Sequence, residues 1–237
     1  IRHKKLSVSL KQLITAAVQE CHDYAKIVEH RKGKVIEKGE RQAACFSGQD
    51  LGRVKNKILA FFSERTYNLL TESKYRYDLI NAVLSRGCDD ILNLWQRIEQ
   101  LKTILNKDEF EQARTVVERT NNILKGAKED LDGNVYESKF EDPLESELWR
   151  AYKDNSAKIK GLIDQALYKE ATLVYGRVFY DIIHKFFDKV LVNAEDSGLR
   201  LNRLLMMKHL NLLYTERIAD LSKIVAVPVL TIRQTLI

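Results

Sequence analysis

Only two prolines, Pro143 and Pro228, and ten glycines punctuate the 237 residues. A multi-stranded sheet needs many turns, and turns draw on those two residue types. Their scarcity favours long helices over strands. Cysteine is scarce as well. Cys21, Cys45 and Cys88 form an odd set with no C-x-x-C pair. This argues against a disulfide framework and against a thiolate zinc site, and it fits a reducing cytoplasm. No apolar run approaches the roughly 20 residues that a membrane-crossing helix needs, and no secretory leader is expected. The chain opens on Ile1 and a charged segment, so it reads as a piece excised from a longer protein.

What is present is charge and helical patterning. Charged residues make up 30% of the chain, hydrophobic residues 45%, and the formal net charge is +6. The charges are spread out, as on the solvated faces of amphipathic helices. A modest basic excess suits a nucleic-acid surface and equally suits simple solubility.

Apolar residues recur at helical intervals from Leu10 to Val28, where Leu13, Ile14, Ala17, Val18 and Cys21 share a face. The polar stretch from Glu29 to Asp50 reads as a long loop. Helices are predicted over Leu51 to Leu70 and Tyr75 to Ser85, the latter broken by Gly87 in a left-handed C-cap. Asp89 or Asp90 caps the next helix, which carries Ile91, Leu94, Trp95 and Ile98. Another runs from Asp108 to Leu124 and ends near Gly126. After an acidic loop over residues 127–143, a helix resumes at Glu145. The spacing of Ile163, Leu167, Val174, Val178 and Ile182 predicts one continuous helix. The last runs from about Asp196 to Ile224. Only the tail from Val225 to Ile237 hints at alternation. The expected fold is an all-α helical bundle.

Catalytic chemistry is hard to find. His22-Asp23 is the lone His-Asp dipeptide that a metal phosphohydrolase could use, but such chemistry needs several ligands converging from separate helices. No phosphate-cradling glycine loop and no nucleophile elbow is present. Cys88 stands beside Asp89 and Asp90, which raise a thiol pKa and make a poor nucleophile. Paired carboxylates such as Glu195-Asp196 lie at helix starts, where capping accounts for them.

Nucleic acid is the better-supported partner. Arg53, Lys55, Lys57, Arg65, Lys74 and Arg76 interleave with Tyr67, Tyr75 and Tyr77, as an unstacked RNA loop requires. Arg200, Arg203, Lys208 and Arg217 form a second basic set. Core packing for the tyrosines and plain solvation for the cations remain the competing explanation.

Three segments carry a family resemblance. Lys74 to Leu101 reads KYRYDLINAVLSRGCDDILNLWQRIEQL, with Gly87, Asp89 and Asp90 in register with a family pattern. Glu118 to Lys125 reads ERTNNILK and is followed by an acidic loop and Asp142-Pro143-Leu144-Glu145. Phe186 to Ile224 holds Phe186-Phe187-Asp188, then Leu199-Arg200, Asn202-Arg203-Leu204 and Ala219-Asp220. Together these resemble the C-terminal region of the β subunit of bacterial glycyl-tRNA synthetases, or the β-like part of a fused enzyme, over roughly residues 50–224. More loosely, residues 114–224 resemble the DALR anticodon-binding module. The chain departs from the pattern where Asp181, Ile182 and Ile183 replace prolines, so the preceding helix is expected to run straight through.

The resemblance implies an N-terminal helical part over 1–113 that follows upstream domains, an anticodon-binding domain over 114–224, and an extension over 225–237. It implies binding of the tRNA(Gly) anticodon arm and a partner α subunit or α-like part, in the cytoplasm, with neither DNA nor membrane involved. The parent enzyme uses ATP and Mg2+ at a catalytic site elsewhere; this chain is expected to hold no cofactor, no metal and no catalytic residue. The candidate tRNA-binding residues are Arg119, Asn122 and Lys125 on the middle helix, Arg200, Arg203 and Lys208 on the last, and Arg76 and Tyr77. For Arg203 a buried ion pair is the alternative role. A helical scaffold without RNA contact, or a hydrolase built on His22 and Asp23, are the competing functions.

Overall fold

The computed structural model describes residues 7–32 and 48–225. Among these residues it is all-α, as the sequence predicts, with no strand and a single isolated bridge between Ser9 and Asp90. Eight α-helices follow in order: α1 (Leu10–Lys32), α2 (Gly48–Glu72), α3 (Tyr77–Leu84), α4 (Ile91–Lys102), α5 (Asp108–Lys125), α6 (Pro143–Asp164), α7 (Tyr168–Lys189) and α8 (Ser197–Thr215). Short 3-10 turns occupy Glu137–Lys139 and Leu221–Lys223. Residues 33–47, the tail 226–237 and the side chain of His22 lie outside the described part. No described helix is long and apolar enough to cross a membrane.

The chain divides into two compact units, one from residues up to 75 with 87–95, the other from 76–86 and 96 onward. In the first, α1 buries Leu10, Ile14 and Val18, with Val54, Ile58 and Phe62 of α2 packed against them. The face expected for α1 is therefore rotated: Leu13, Ala17 and Cys21 are exposed. The ends of the stretch read as a loop, residues 29–32 and 48–50, are helical. Asp90 is the cap of α4, accepting from Asn93 N at 3.0 Å. Asp89 serves α1 instead, accepting from Lys11 N at 2.6 Å and from Ser9 Oγ at 3.0 Å. Cys88 is buried, and burial before any neighbouring charge pushes its thiol pKa up.

The second unit is a bundle in which α5 lies against α7 and α8, and α6 against α7 and α8. Its centre is aromatic: Tyr175, Phe179, Phe186 and Tyr214 are fully buried. Each buried phenol finds a partner, Tyr214 Oη with Thr172 Oγ1 at 2.8 Å and Tyr175 Oη with the Leu210 carbonyl at 3.1 Å. That satisfies the polar end of a large apolar ring. α7 and α5 approach closely at Gly176, which faces the Glu109 carbonyl and the Ala113 backbone.

Three helix ends differ from expectation. Gly87 is left-handed at φ +83, but α3 already ends on Leu84, with Ser85 as its C-cap. The helix predicted through Ile163 and Ile182 breaks at Gln165. Leu167 N reaches back to the Leu162 carbonyl at 2.9 Å and Ala166 N to the Ile163 carbonyl at 2.9 Å. This is a Schellman end, with Ala166 at φ +56 in the place glycine usually takes. Finally α8 stops at Thr215, so Ile218, Ala219 and Asp220 lie beyond it. Through Asp181 to Ile183, by contrast, α7 runs unbroken to Lys189, as the missing prolines predict.

Candidate nucleic-acid interface

α5 is sorted into two faces by its apolar spacing. Phe110, Ala113, Val116, Val117 and Thr120 face the core, an i, i+3, i+4 stripe. Asn122 and Lys125 are exposed on the other side, and Arg119 and Ile123 are half-buried there. Acidic residues in the first turn and Lys125 in the last oppose the helix dipole, which favours the helix. Arg114 holds two of the four α5 carboxylates, Glu111 and Glu118, at 2.5 and 2.7 Å. Among the described residues no carboxylate pairs with Arg119; its guanidinium stands 5.9 Å from the centroid of the Phe187 ring. Arg119, Asn122, Ile123 and Phe187 line an open hollow of about 400 Å³.

α8 is different. Arg200, Asn202 and Lys208 turn toward residues 127–136, part of the acidic connection between α5 and α6. Arg200 Nε binds Glu129 at 2.5 Å, and one Nη binds the Ala194 carbonyl at 2.8 Å. Asn202 clasps the backbone of Tyr136, accepting from its N–H at 2.8 Å and donating to its carbonyl at 3.0 Å. Lys208 Nζ donates to the Leu131 carbonyl at 2.7 Å. The His209 ring meets the stacked Trp149 and Tyr152 edge-on. Burial holds the pKa of His209 below the usual histidine value. Arg203 is buried and bound to Glu145, which is the alternative role named for it. Arg200, Arg203 and Lys208 of α8 are therefore engaged within the fold, while Arg119 and Lys125 of α5 make no ion pair among the described residues.

Arg76 is also engaged. It forks onto Asp78 at 3.1 and 2.5 Å and donates to the Val225 carbonyl at 3.2 Å. Asp78 is buried and additionally accepts from Val225 N at 3.0 Å. Burial alone raises a carboxyl pKa, but Arg76 and the backbone donors outweigh it and hold Asp78 below its usual value. Tyr77 is 62% exposed, whereas Tyr75 is buried against Trp95. The tyrosines that alternate with cations along the sequence thus do not share one surface.

Two residues with structural weight escape a sequence reading. Asn121, next to the exposed Asn122, donates to Asp220 at 2.9 Å and to Ser222 at 2.8 Å. Asn211 donates to Asn121 at 3.1 Å and to Thr120 at 2.9 Å. This network fixes the Ala219-Asp220-Leu221-Ser222 segment against α5. In a run of two asparagines only the helical phase, 100° per residue, tells which one turns inward.

No family model matches the chain. Among curated proteins it is similar to the glycine–tRNA ligase β subunit of Desulfatibacillum aliphaticivorans, at 32% identity over 81% of this chain and 27% of that protein. The β subunit of Trichlorobacter lovleyi is 32% identical over 72% of this chain and 24% of its own length. That of Clostridioides difficile is 30% identical over 74% and 25%. The chain spans about a quarter of the length of these relatives. Over roughly three quarters of its own length, the chain is a homologue of the glycine–tRNA ligase β subunits, consistent with their C-terminal region.

Proposed function

We propose that this chain is the anticodon-arm binding module of a glycyl-tRNA synthetase, with a DALR-type bundle from residue 114 onward. In this reading it holds tRNA(Gly) while another part of the enzyme, an α subunit or α-like region, joins glycine to the tRNA with ATP and Mg2+. Its contribution to rate is positioning and discrimination. The enzyme works in the cytoplasm.

One observation carries the reading beyond homology. Arg119, Asn122 and Lys125 stand on the solvent face of α5, and no carboxylate among the described residues neutralises the two cations. Such a face suits an RNA loop, in which phosphates meet cations and unstacked bases offer edges to polar side chains. Arg200, Arg203, Lys208 and Arg76 are engaged with Glu129, Glu145, the Leu131 carbonyl and Asp78, and in this reading they serve by fixing the loop and helices they hold.

The test is equilibrium binding of the chain to a glycine tRNA transcript and to the same transcript with a swapped anticodon, near physiological salt. Preference for the glycine anticodon, lost in Arg119→Ala, is the expected result. Equal binding to both transcripts leaves a basic RNA surface without anticodon reading. Binding to neither favours the scaffold function.

A further inference from the structure

We propose that the hollow between α5 and α7 receives a single unpaired base of the bound RNA. That base stacks on Phe187 and is read along its edge by Asn122. This rests on the RNA-binding function proposed above and deepens it.

The four lining residues divide into the parts that base recognition needs. Phe187 supplies an aromatic plane, and Ile123 supplies an aliphatic flank. Asn122 carries both a donor and an acceptor on one planar amide, which can match the polar edge of a base. Arg119 is the cation for the phosphate attached to that base. The hollow, about 400 Å³, lies within the size range of ordinary small-ligand pockets, about 300–1,000 Å³.

Phe186 is fully buried in the core, whereas its neighbour Phe187 is half-buried beneath the Arg119 guanidinium. No carboxylate lines the hollow, and the nearest acidic residues of α5, Glu111 and Glu118, are held by Arg114. A phosphate-linked base thus meets one cation, Arg119, and no fixed anion among the lining residues. Stacking on an aromatic side chain is tolerant of base identity, so discrimination falls to the amide.

The experiment is a thermodynamic cycle on a hairpin RNA carrying the glycine anticodon loop. Each loop base in turn is replaced by an abasic residue, and each RNA is titrated with the native chain and with Phe187→Leu. Phe187→Leu is expected to weaken binding roughly 5- to 150-fold, the range for loss of one base–aromatic stack. At one loop position the abasic RNA loses a similar factor, and the two changes together lose no more than either alone. Phe187→Tyr, which keeps the ring, binds as the native chain does, so a folding defect is told apart from a lost stack. Asn122→Ala leaves the stack but flattens the preference among the four bases at that position. Additive losses at every loop position, or unchanged binding by Phe187→Leu, overturn the inference while the RNA-binding function stands. Failure of the native chain to bind any loop overturns both.

Discussion

Arg203 and Glu145 form a buried ion pair between α8 and the first turn of α6. Arg203 Nε meets Glu145 Oε1 at 2.9 Å and Nη2 meets Oε2 at 3.3 Å, while Nη1 donates to the Leu191 carbonyl at 2.9 Å. The same Glu145 accepts from the N–H groups of Glu141 and Asp142, each at 2.8 Å, closing the capping box that starts α6. One carboxylate thus caps a helix and anchors a cation 58 residues away in sequence. Removing one partner of such a pair leaves a buried charge without compensation. Glu145→Gln keeps the capping geometry, since glutamine also serves in a capping box, but it neutralises the charge. It is expected to destabilise the chain by about 3–5 kcal/mol, measured by denaturant unfolding.

The same pair sets an acid limit. Burial raises the pKa of Glu145, but the bonds from Arg203 and the two backbone donors outweigh that and bring it below the ordinary value. Asp78, held by Arg76, is lowered in the same way. A lowered pKa means that the unfolded chain binds more protons, so stability rises with pH across the window. The contribution is complete above the ordinary Asp and Glu values, about 3.9 and 4.3, and is lost as pH falls through the lowered folded values. Unfolding midpoints taken from pH 7 to pH 2.5 should be flat at first and then fall. Glu145→Gln should show a shallower fall than the native chain, and an equal fall would show that Glu145 has no part in it.

Gly176 is a packing requirement. A Cβ there would overlap the Glu109 carbonyl oxygen and lie 2.9 Å from Ala113 N. Both are backbone atoms of α5 and cannot swing aside, so the helices must separate. Gly176→Ala gains helix propensity of about 1 kcal/mol. Overpacking of about 1–3 kcal/mol, and more where backbone must move, opposes it. Net destabilisation is expected, seen as a lower unfolding temperature. A neutral or raised value would show that the α5 and α7 backbones do not touch at this point.

Ala166 offers the opposite case. Its φ of +56 closes the Schellman end of α6, and Gln100 braces the corner by donating to the Ala166 carbonyl at 2.7 Å and accepting from Lys169 N at 3.0 Å. A left-handed alanine costs about 1–2 kcal/mol. Glycine removes that strain at an entropic cost of about 0.5–1 kcal/mol. Ala166→Gly should therefore stabilise by about 0.5–1 kcal/mol in denaturant unfolding. A loss of stability would contradict the left-handed assignment.

These positions show what a sequence can disclose here. The all-α class was legible because apolar residues recur at helical spacing and turn residues are scarce. The break at Ala166 was not, because alanine carries no turn signal and the period of Ile163 and Leu167 continues into α7. The early end of α8 was hidden for the same reason: Ile218 and Leu221 are buried and keep an apolar rhythm, yet they lie past the helix. For the basic residues the limit is different. Whether a cation is free depends on partners far along the chain, and Arg200 finds Glu129 while Lys208 finds Leu131 at separations of 71 and 77. Spacing on one helix does not contain that information. The candidates on α5 came from the same reading and stay outward because their helix meets the core with its other face.

That contrast between α5 and α8 yields the last prediction. Arg119→Ala and Lys125→Ala remove exposed or half-exposed groups that make no ion pair among the described residues, so stability should change by no more than about 0.5 kcal/mol. RNA affinity should fall, and the slope of log affinity against log salt should drop by about 1 for each phosphate left without its cation. Arg200→Ala and Lys208→Ala should behave in the reverse sense. They release Glu129 and the Leu131 carbonyl, so the 127–136 connection should become the first site of limited proteolysis. Their salt slope should stay that of the native chain. Salt titration of all four variants against one glycine tRNA transcript separates the two helices. If Arg200→Ala lowers the slope and Arg119→Ala does not, the RNA lies on α8, and the ion pair with Glu129 must open to admit it.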